Sequence, residues 1–159
     1  MLSIKGRVEA IYVAPKAGAL MEIKETVNAV ENSGLQGDRY LKKTGYWAGI
    51  DECQLTLIEG ETLDEISQQT GLRINSGEHR RNLITRGIQL YELRGKKFSV
   101  GEAILTFDRP RPPCSYIQSL TQVGMTKALT GTKGGICARI LKSGKIRIND
   151  VIQIVRDVS

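Results

Sequence analysis

Short segments of β-type sequence, separated by glycine-containing turns, constrain the fold of this chain more than any other feature. The longest helical pattern covers about three turns, and strand–helix–strand alternation is not sustained. This arrangement disfavours a parallel, doubly wound sheet. It predicts a mainly β (α+β) fold, with a mostly antiparallel sheet that is curled or closed into a barrel and a few short helices at its margins.

The individual elements follow from residue periodicity and turn signals. The predicted strands are Gly6–Ala14, Thr26–Glu31, Gln54–Glu59, Asn82–Thr85, Lys97–Val100, Ala103–Asp108, Gly135–Leu141 and Lys145–Val155. The predicted helical segments are Gly60–Thr70, Leu90–Leu93 and Thr126–Leu129. No internal repeat, low-complexity tract or linker divides the chain, so residues 1–159 are predicted to form one domain.

The charge balance favours an anionic partner. Lys and Arg number 23 against 17 acidic residues, a formal net charge of +6. Phosphorylated ligands and nucleic acid both fit such a surplus, but aromatic residues make up only 5% of the chain, which disfavours the stacking surfaces of single-strand binders.

No apolar run approaches the roughly 18 residues that cross a bilayer, and the first residues lack a continuous apolar signal core, so a cytoplasmic protein without membrane partners is expected.

Three cysteines, Cys53, Cys114 and Cys137, lie far apart in the sequence and form no C-x-x-C pair. This spacing argues against a disulfide framework and against a structural zinc site, so free thiols are expected. Cys137 lies in the apolar segment GICARIL and Cys53 has no basic neighbour in sequence. Both are therefore interpreted as structural.

Cys114 has a different setting, in the segment RPRPPCSY at 109–116. Three prolines make a rigid corner after a predicted strand. Arg109, Arg111 and a helix that starts near Cys114 would all favour its thiolate form. The sequence therefore predicts that Cys114 is the reactive thiol.

Three other polar clusters have an ordinary structural interpretation when each is taken alone. They are GLQGDRY at 34–40, HRRN at 79–82 and GTKGG at 131–135. For the first cluster this is a polar turn, for the second a basic strand start that discourages aggregation, and for the third a glycine-rich turn. The alternative for the second, equally favoured, is that its adjacent arginines bind a phosphate or carboxylate. The alternative for the third is that its backbone N–H groups bind a phosphate. Because each falls at a strand end, we expect the proline corner and the glycine-rich loop to meet at one pocket.

His79 is the sole histidine, and it raises a minor alternative. Paired with Cys114, it would act as the general base of a cysteine hydrolase. The sequence shows no acid that would orient it, and a histidine beside two arginines is expected at the surface.

Taken together and in order, these clusters resemble the MOSC family, named for the C-terminal domain of molybdenum cofactor sulfurase. The chain departs from the family pattern at Asn149-Asp150, where Gly-Asp is usual. It also lacks the aminotransferase-like domain of full-length sulfurases, so cysteine desulfuration is not expected of it alone. The matching segments are GLQGDRY at 34–40, RRN at 80–82, GEAIL at 101–105, RPRPPC at 109–114 and GGICARIL at 134–141.

The resemblance implies that Cys114 either ligates molybdenum or carries sulfur as a persulfide. It implies the molybdenum cofactor (molybdopterin), an anionic pterin, as the bound group. The residues expected to bind it are Arg39, Arg80, Arg81, Asn82, Arg111, Lys133, Gly134 and Gly135.

Two activities fit this resemblance: a reductase component for N-hydroxylated compounds, served by an electron-donor protein, and a sulfur-delivery protein, served by a sulfur donor. The sequence leaves open which applies and whether the chain is an enzyme. The alternative from another class is a non-catalytic basic β-barrel adaptor that binds nucleic acid or a protein partner.

Overall fold

The structure of the protein is a computed structural model, and it describes residues 5–45, 53–112, 117 and 120–156. The strands are β1 (Lys5–Val13), β2 (Glu22–Lys24), β3 (Thr26–Val30), β4 (Gly34–Leu35), β5 (Leu55–Glu59), β6 (Leu83–Arg86), β7 (Lys97–Val100), β8 (Ala103–Pro110), β9 (Ile136–Lys142), β10 (Gly144–Arg147) and β11 (Val151–Ile154). The helices are α1 (Arg39–Lys42), α2 (Gly60–Thr70) and α3 (Met125–Ala128), with 3-10 helices at Leu90–Leu93 and Gly131–Gly134.

Seven of these strands close into a barrel. The order runs β1, β11, β7, β8, β9, β5, β6 and back to β1, and β2 extends the sheet from β1. Strand pairs in the described part of the chain are antiparallel, apart from the parallel pair β5 and β6, which α2 connects. Strands β10, β3 and β4 form a separate three-stranded sheet. The predicted mainly β fold with a mostly antiparallel barrel is confirmed.

Two apolar clusters hold the barrel and its cover together. The first lies around Phe98 and Leu105, both fully buried, and takes in alternate residues of the barrel strands. The second lies beneath α2, where Leu63 and Ile66 pack with outward-facing residues such as Ile58. Fully burying such a side chain stabilises the fold by about 1.5–3 kcal/mol. Strand β5 is therefore buried on both faces, which explains its unbroken run LTLI.

The predicted helix Gly60–Thr70 and the strand predictions up to residue 141 are confirmed within a few residues of their bounds. The single strand predicted over Lys145–Val155 is wrong. It is two strands, β10 and β11, which belong to different sheets. The break is a left-handed residue, Asn149 at φ 71°, and the Asp150 carboxylate accepts a hydrogen bond from the Arg147 amide at 2.7 Å.

Several short elements were not predicted from the sequence. Strands β2 and β4 and helix α1 are two to four residues long, too short for a periodic pattern. The loop at 131–135 begins as a 3-10 helix. No helix among the residues that the structure describes is both long and apolar enough to cross a bilayer.

Candidate functional site

Segments far apart in the sequence converge on a group of buried guanidinium side chains. We call Arg39, Arg80 and Arg81 the arginine cluster; each is less than 10% exposed. The side chain of Arg39 donates to the backbone oxygen of Arg80 at 3.0 Å, which links the segment at 34–40 to the segment at 79–82. Buried arginines are uncommon in proteins, so each of these needs a partner or a role.

Arg81 joins the proline corner to the glycine-rich loop. Its Nε donates to the Gly134 oxygen at 2.8 Å and its Nη2 to the Arg111 oxygen at 3.2 Å. The Arg111 amide in turn donates to the Gly135 oxygen at 2.9 Å. Burial, with the nearby positive charge of Arg111, lowers the pKa of Arg81 to about 10, which still leaves it cationic at neutral pH.

The two glycines of this loop are required by close packing. A Cβ atom on Gly134 would lie 2.3 Å from the Arg111 oxygen. Gly135 adopts a φ of +81°, and a Cβ there would lie 2.1 Å from the Leu57 oxygen. Only glycine allows the loop to approach the proline corner and β5 this closely.

Asp38 fixes Arg39. It is the N-cap of α1, where its Oδ2 accepts from the Tyr40 amide at 3.2 Å. Its Oδ1 accepts from the Ala14 amide at 3.0 Å and from Arg39 Nη1 at 2.9 Å. The Arg39 guanidinium also lies 4.4 Å from the centre of the Tyr40 ring. The sequence analysis predicted a polar turn at this position, but not the burial of Asp38 and Arg39.

Positive charge is in excess among the buried side chains. Three of them, the arginine cluster, are cationic and one, Asp38, is anionic, among the residues that the structure describes. Arg80 has a left-handed backbone with φ of +59°, and its Nη1 donates to the Ala19 oxygen at 2.7 Å. The cluster therefore offers an anion a fixed, largely desolvated set of donors.

The other predicted site residues lie in different settings. Asn82 is fully buried, with its Oδ1 accepting from the Thr56 amide at 2.9 Å and its Nδ2 donating to the Tyr12 oxygen at 3.0 Å, so it holds β1 and β5 together. Lys133 is exposed on the second 3-10 helix. Arg111 is half-buried and adjoins the cluster through its backbone. Cys114 lies outside the described residues.

His79 is fully buried, which corrects the expectation of a surface residue. Its Nδ1 accepts from the Arg81 amide at 2.8 Å, so the neutral ring carries its proton on Nε2. Burial, then the charges of Arg81 and Arg80, lower its pKa to about 3. A group this acidic is a poor general base at neutral pH, which argues against a Cys114–His79 hydrolase.

Sequence reasoning missed the surroundings of Cys137. It is fully buried, as predicted, but β8 places Arg109 directly opposite it in the sheet. The neighbouring Cys53 thiol lowers the pKa of Cys137 against the effect of burial, and the charges of Arg111, Arg109 and Arg81 lower it further. The basic neighbours come from other strands, so no local pattern could have revealed them.

Comparison with known proteins gives a consistent result. Residues 44–153 match the family model described as MOSC domain. Similar solved structures include the YuaD protein from Bacillus subtilis, with a TM-score of 0.75 and 19% identity over 96% of this chain and 97% of that one. YiiM from Geobacillus stearothermophilus has a TM-score of 0.73 and 19% identity over 95% and 75% of the two chains. YiiM from Escherichia coli has a TM-score of 0.64 and 21% identity over 96% and 71%. No curated protein matches significantly.

Proposed function

The chain belongs to the MOSC domain family, which is associated with the molybdenum cofactor, and on this premise we propose that the arginine cluster binds the anionic part of that cofactor beside a Cys114 thiolate. The observation that carries the proposal is the state of Arg81. Two backbone carbonyl groups orient its guanidinium, and these are neutral acceptors. The side chain remains cationic although it is buried.

The donors of Arg81 fit a phosphate group. A guanidinium has five N–H donors in a rigid fork. The Nε and Nη2 atoms of Arg81 are each engaged once, whereas its Nη1 has no hydrogen-bond acceptor among the described residues. A phosphate or other anion placed at Nη1 would complete the fork and offset the desolvated charge.

The other residues divide into two roles. Arg39 and Arg80 would add positive charge around the same anion, and Lys133 and Arg111 would contribute at its rim. Gly134, Gly135 and Asn82 would position these donors, because they set the approach of the loop and of strands β1 and β5. The bound cofactor supplies the redox chemistry of molybdenum. The protein supplies the anion site and the soft thiolate ligand of Cys114.

Two activities remain within this proposal. In one, Cys114 ligates molybdenum in a reductase component for N-hydroxylated compounds, and an electron-donor protein is the partner. In the other, Cys114 carries a persulfide from a sulfur-donor protein to the cofactor. Protein-bound sulfur released by cyanide would favour the second activity, whereas molybdenum retained through gel filtration would favour the first.

The anion site is tested by binding of the cofactor to single variants. Arg81→Ala should weaken cofactor binding by about 1–3 kcal/mol, the range for a hydrogen bond to a charged group. Arg139→Ala is the matched control, since it removes the same charge from an exposed position on β9 and should bind as the wild type does. If Arg39→Ala, Arg80→Ala, Arg81→Ala and Lys133→Ala all bind normally, the site lies elsewhere.

The thiol is tested by expression in hosts with and without cofactor biosynthesis, followed by metal and persulfide analysis. Cys114→Ser should fold normally and lose the metal or the persulfide, because an alcohol is a poor soft ligand. Cys53→Ser and Cys137→Ser should retain it. If Cys114→Ser keeps cofactor and activity, the role of Cys114 is wrong and the adaptor alternative becomes the leading one.

A further inference from the structure

Strand β2 leaves one edge of the larger sheet without a neighbouring strand. It comes last in the order of that sheet, and β1 is its only neighbour among the residues that the structure describes. Two of the most exposed large apolar side chains of the described part of the chain lie in or just before it: Ile23 is 68% exposed and Leu20 is 87% exposed. A sheet edge that carries apolar side chains is a template for pairing with another strand.

The pairing of β2 with β1 determines which backbone groups of β2 point out of this edge. Tyr12 lies opposite Ile23. The Tyr12 amide donates to the Asn82 oxygen at 2.7 Å, and the Tyr12 oxygen accepts from Asn82 Nδ2 at 3.0 Å, so both groups face β6 and not β2. In an antiparallel pair, the residue opposite such a residue also points its own N–H and C=O groups away. The amide and the carbonyl group of Ile23 therefore point out of the sheet edge, where a further strand would bind.

The sequence of β2, Glu-Ile-Lys, is complementary to itself. When two copies pair in antiparallel orientation about Ile23, Glu22 of each copy lies opposite Lys24 of the other, and the two Ile23 side chains lie side by side. A parallel pairing in register would place like charges opposite each other. The side chains of Glu22 and Lys24 are 58% and 46% exposed, so both are accessible to a second copy. The charges therefore favour one orientation of pairing and disfavour the other.

From this arrangement we propose that two copies of this chain associate through β2, as an antiparallel strand pair whose two-fold axis passes between the two Ile23 residues. Each Ile23 amide donates to the carbonyl oxygen of the same residue in the other copy. Because both copies use the same surface, the assembly closes as a dimer and does not extend into a fibre. Three paired residues bury far less than the roughly 1,200 Å² of a stable complex, so the dimer is weak and depends on protein concentration.

The proposed interface follows directly on the segment that contacts the arginine cluster. The Ala19 oxygen accepts from Arg80 Nη1 at 2.7 Å, and Met21 Sδ accepts from Arg39 Nη1 at 3.8 Å. Strand β2 begins at the next residue, Glu22. The dimer uses none of the side chains of the cluster, so it stands or falls independently of the cofactor assignment.

The test is sedimentation velocity of the full-length protein with dithiothreitol present, at concentrations from about 1 µM to about 1 mM, which bracket weak association. The wild-type protein should shift from monomer to dimer over this range. Glu22→Lys and Lys24→Glu should each raise the dissociation constant at least about fivefold, because each places like charges opposite at two symmetric positions. The double variant with both changes should restore the wild-type constant. Glu92→Lys is the matched control, since it makes the same charge change at an exposed position on the first 3-10 helix and should leave the association unchanged.

The charge variants also define what would overturn the proposal. A wild-type protein that remains monomeric at the highest concentration would contradict it. So would a dimer that both single variants leave unchanged, since that dimer would use another surface. Failure of the double variant to restore the association would exclude the antiparallel pairing about Ile23.

A cross-link tests the register directly. Ile23→Cys is made in protein that also carries Cys114→Ser, so that Cys114 cannot link two copies. Hydrogen-bonded residues of an antiparallel pair have Cα atoms roughly 5.5 Å apart, which is within the range of a disulfide. After removal of dithiothreitol and mild oxidation, this variant should form a disulfide-linked dimer. Val123→Cys in the same protein is the control, because Val123 is 85% exposed but lies outside β2. Equal rates of cross-linking in the two variants would contradict the proposed interface.

Discussion

The interior of the barrel and the arginine cluster are both buried, yet opposite kinds of interaction hold them. Phe98 and Leu105 are fully buried among aliphatic neighbours, where the stabilisation is non-directional and follows the apolar area removed from water. Asp38, Arg39 and Arg81 are held by directed bonds, several of them to backbone atoms of distant segments. The interior therefore provides stability without requiring one exact geometry. The cluster, in contrast, holds its charged groups in one fixed geometry.

Because of this difference, the two regions tolerate different amino-acid substitutions. An interior side chain can be exchanged for another of similar volume at modest cost. The side chains of the cluster are held by specific hydrogen-bond partners, and the loss of one side chain leaves its partners buried without compensation. The comparison predicts that interior variants lose stability alone, while cluster variants lose stability and ligand binding together.

The largest effect is expected inside the barrel. Phe98→Ala should lower the free energy of unfolding by about 3–5 kcal/mol, because it removes a fully buried ring and leaves a cavity. The protein that remains folded should bind the cofactor normally. Urea denaturation measures the stability and titration of the folded fraction measures the binding. A loss below about 1 kcal/mol would show that the interior is not the source of stability.

The next effect tests the buried ion pair of the cluster. Asp38→Asn removes the charge that compensates Arg39 while leaving an oxygen for the Ala14 amide, and it should cost about 3 kcal/mol. The matched control is Glu22→Gln in the exposed pair with Lys24, which should change stability by about 0.5 kcal/mol or less. Equal losses in the two variants would remove the distinction between the cluster and an ordinary surface pair.

The two regions also differ in how well the sequence predicts them. Alternation of apolar residues predicts barrel strands such as β8 because the pattern is local and repeats every two residues. The motifs of the site were recognised as segments, but not their contacts. Gly134 is required by the Arg111 oxygen and His79 accepts from Arg81, and such contacts depend on the closed barrel. Short elements such as α1 depend on a single cap, Asp38, whose burial no local pattern indicates.

The pH dependence of stability sharpens the comparison, since the barrel interior does not titrate and His79 does. In the unfolded chain His79 takes up a proton below its ordinary pKa of 6.5, but in the folded protein only near 3. Between these values the unfolded state binds more protons, so this contribution is fully present above pH 6.5 and is lost as the pH falls toward 3. The loss should reach about 2 kcal/mol by pH 5 relative to pH 8.

His79→Asn is the matched variant for this measurement. The asparagine oxygen takes the place of Nδ1 as acceptor for the Arg81 amide but does not titrate. Urea unfolding of both proteins at pH 8 and pH 5 gives the difference due to His79, because all the other titratable groups are common to both proteins. Identical pH dependence in the two proteins would mean that His79 is not held neutral in the folded state.

The smallest effect concerns the ring that packs on Arg39. The Tyr40 hydroxyl accepts from Arg39 Nη2 at 3.3 Å, a long bond, and the same nitrogen also donates to the Arg80 oxygen at 3.0 Å. Tyr40→Phe should therefore cost only about 0.5–1 kcal/mol, because the nitrogen keeps an acceptor. Tyr40→Leu also removes the aromatic face 4.4 Å from the guanidinium, and should cost about 0.5–1 kcal/mol more.

If urea unfolding gives the same stability for Tyr40→Phe and Tyr40→Leu, the ring adds nothing, and Asp38 with the Arg80 carbonyl is sufficient to hold Arg39. If instead Tyr40→Phe costs as much as Phe98→Ala, directed bonds and not apolar burial dominate the stability of the protein.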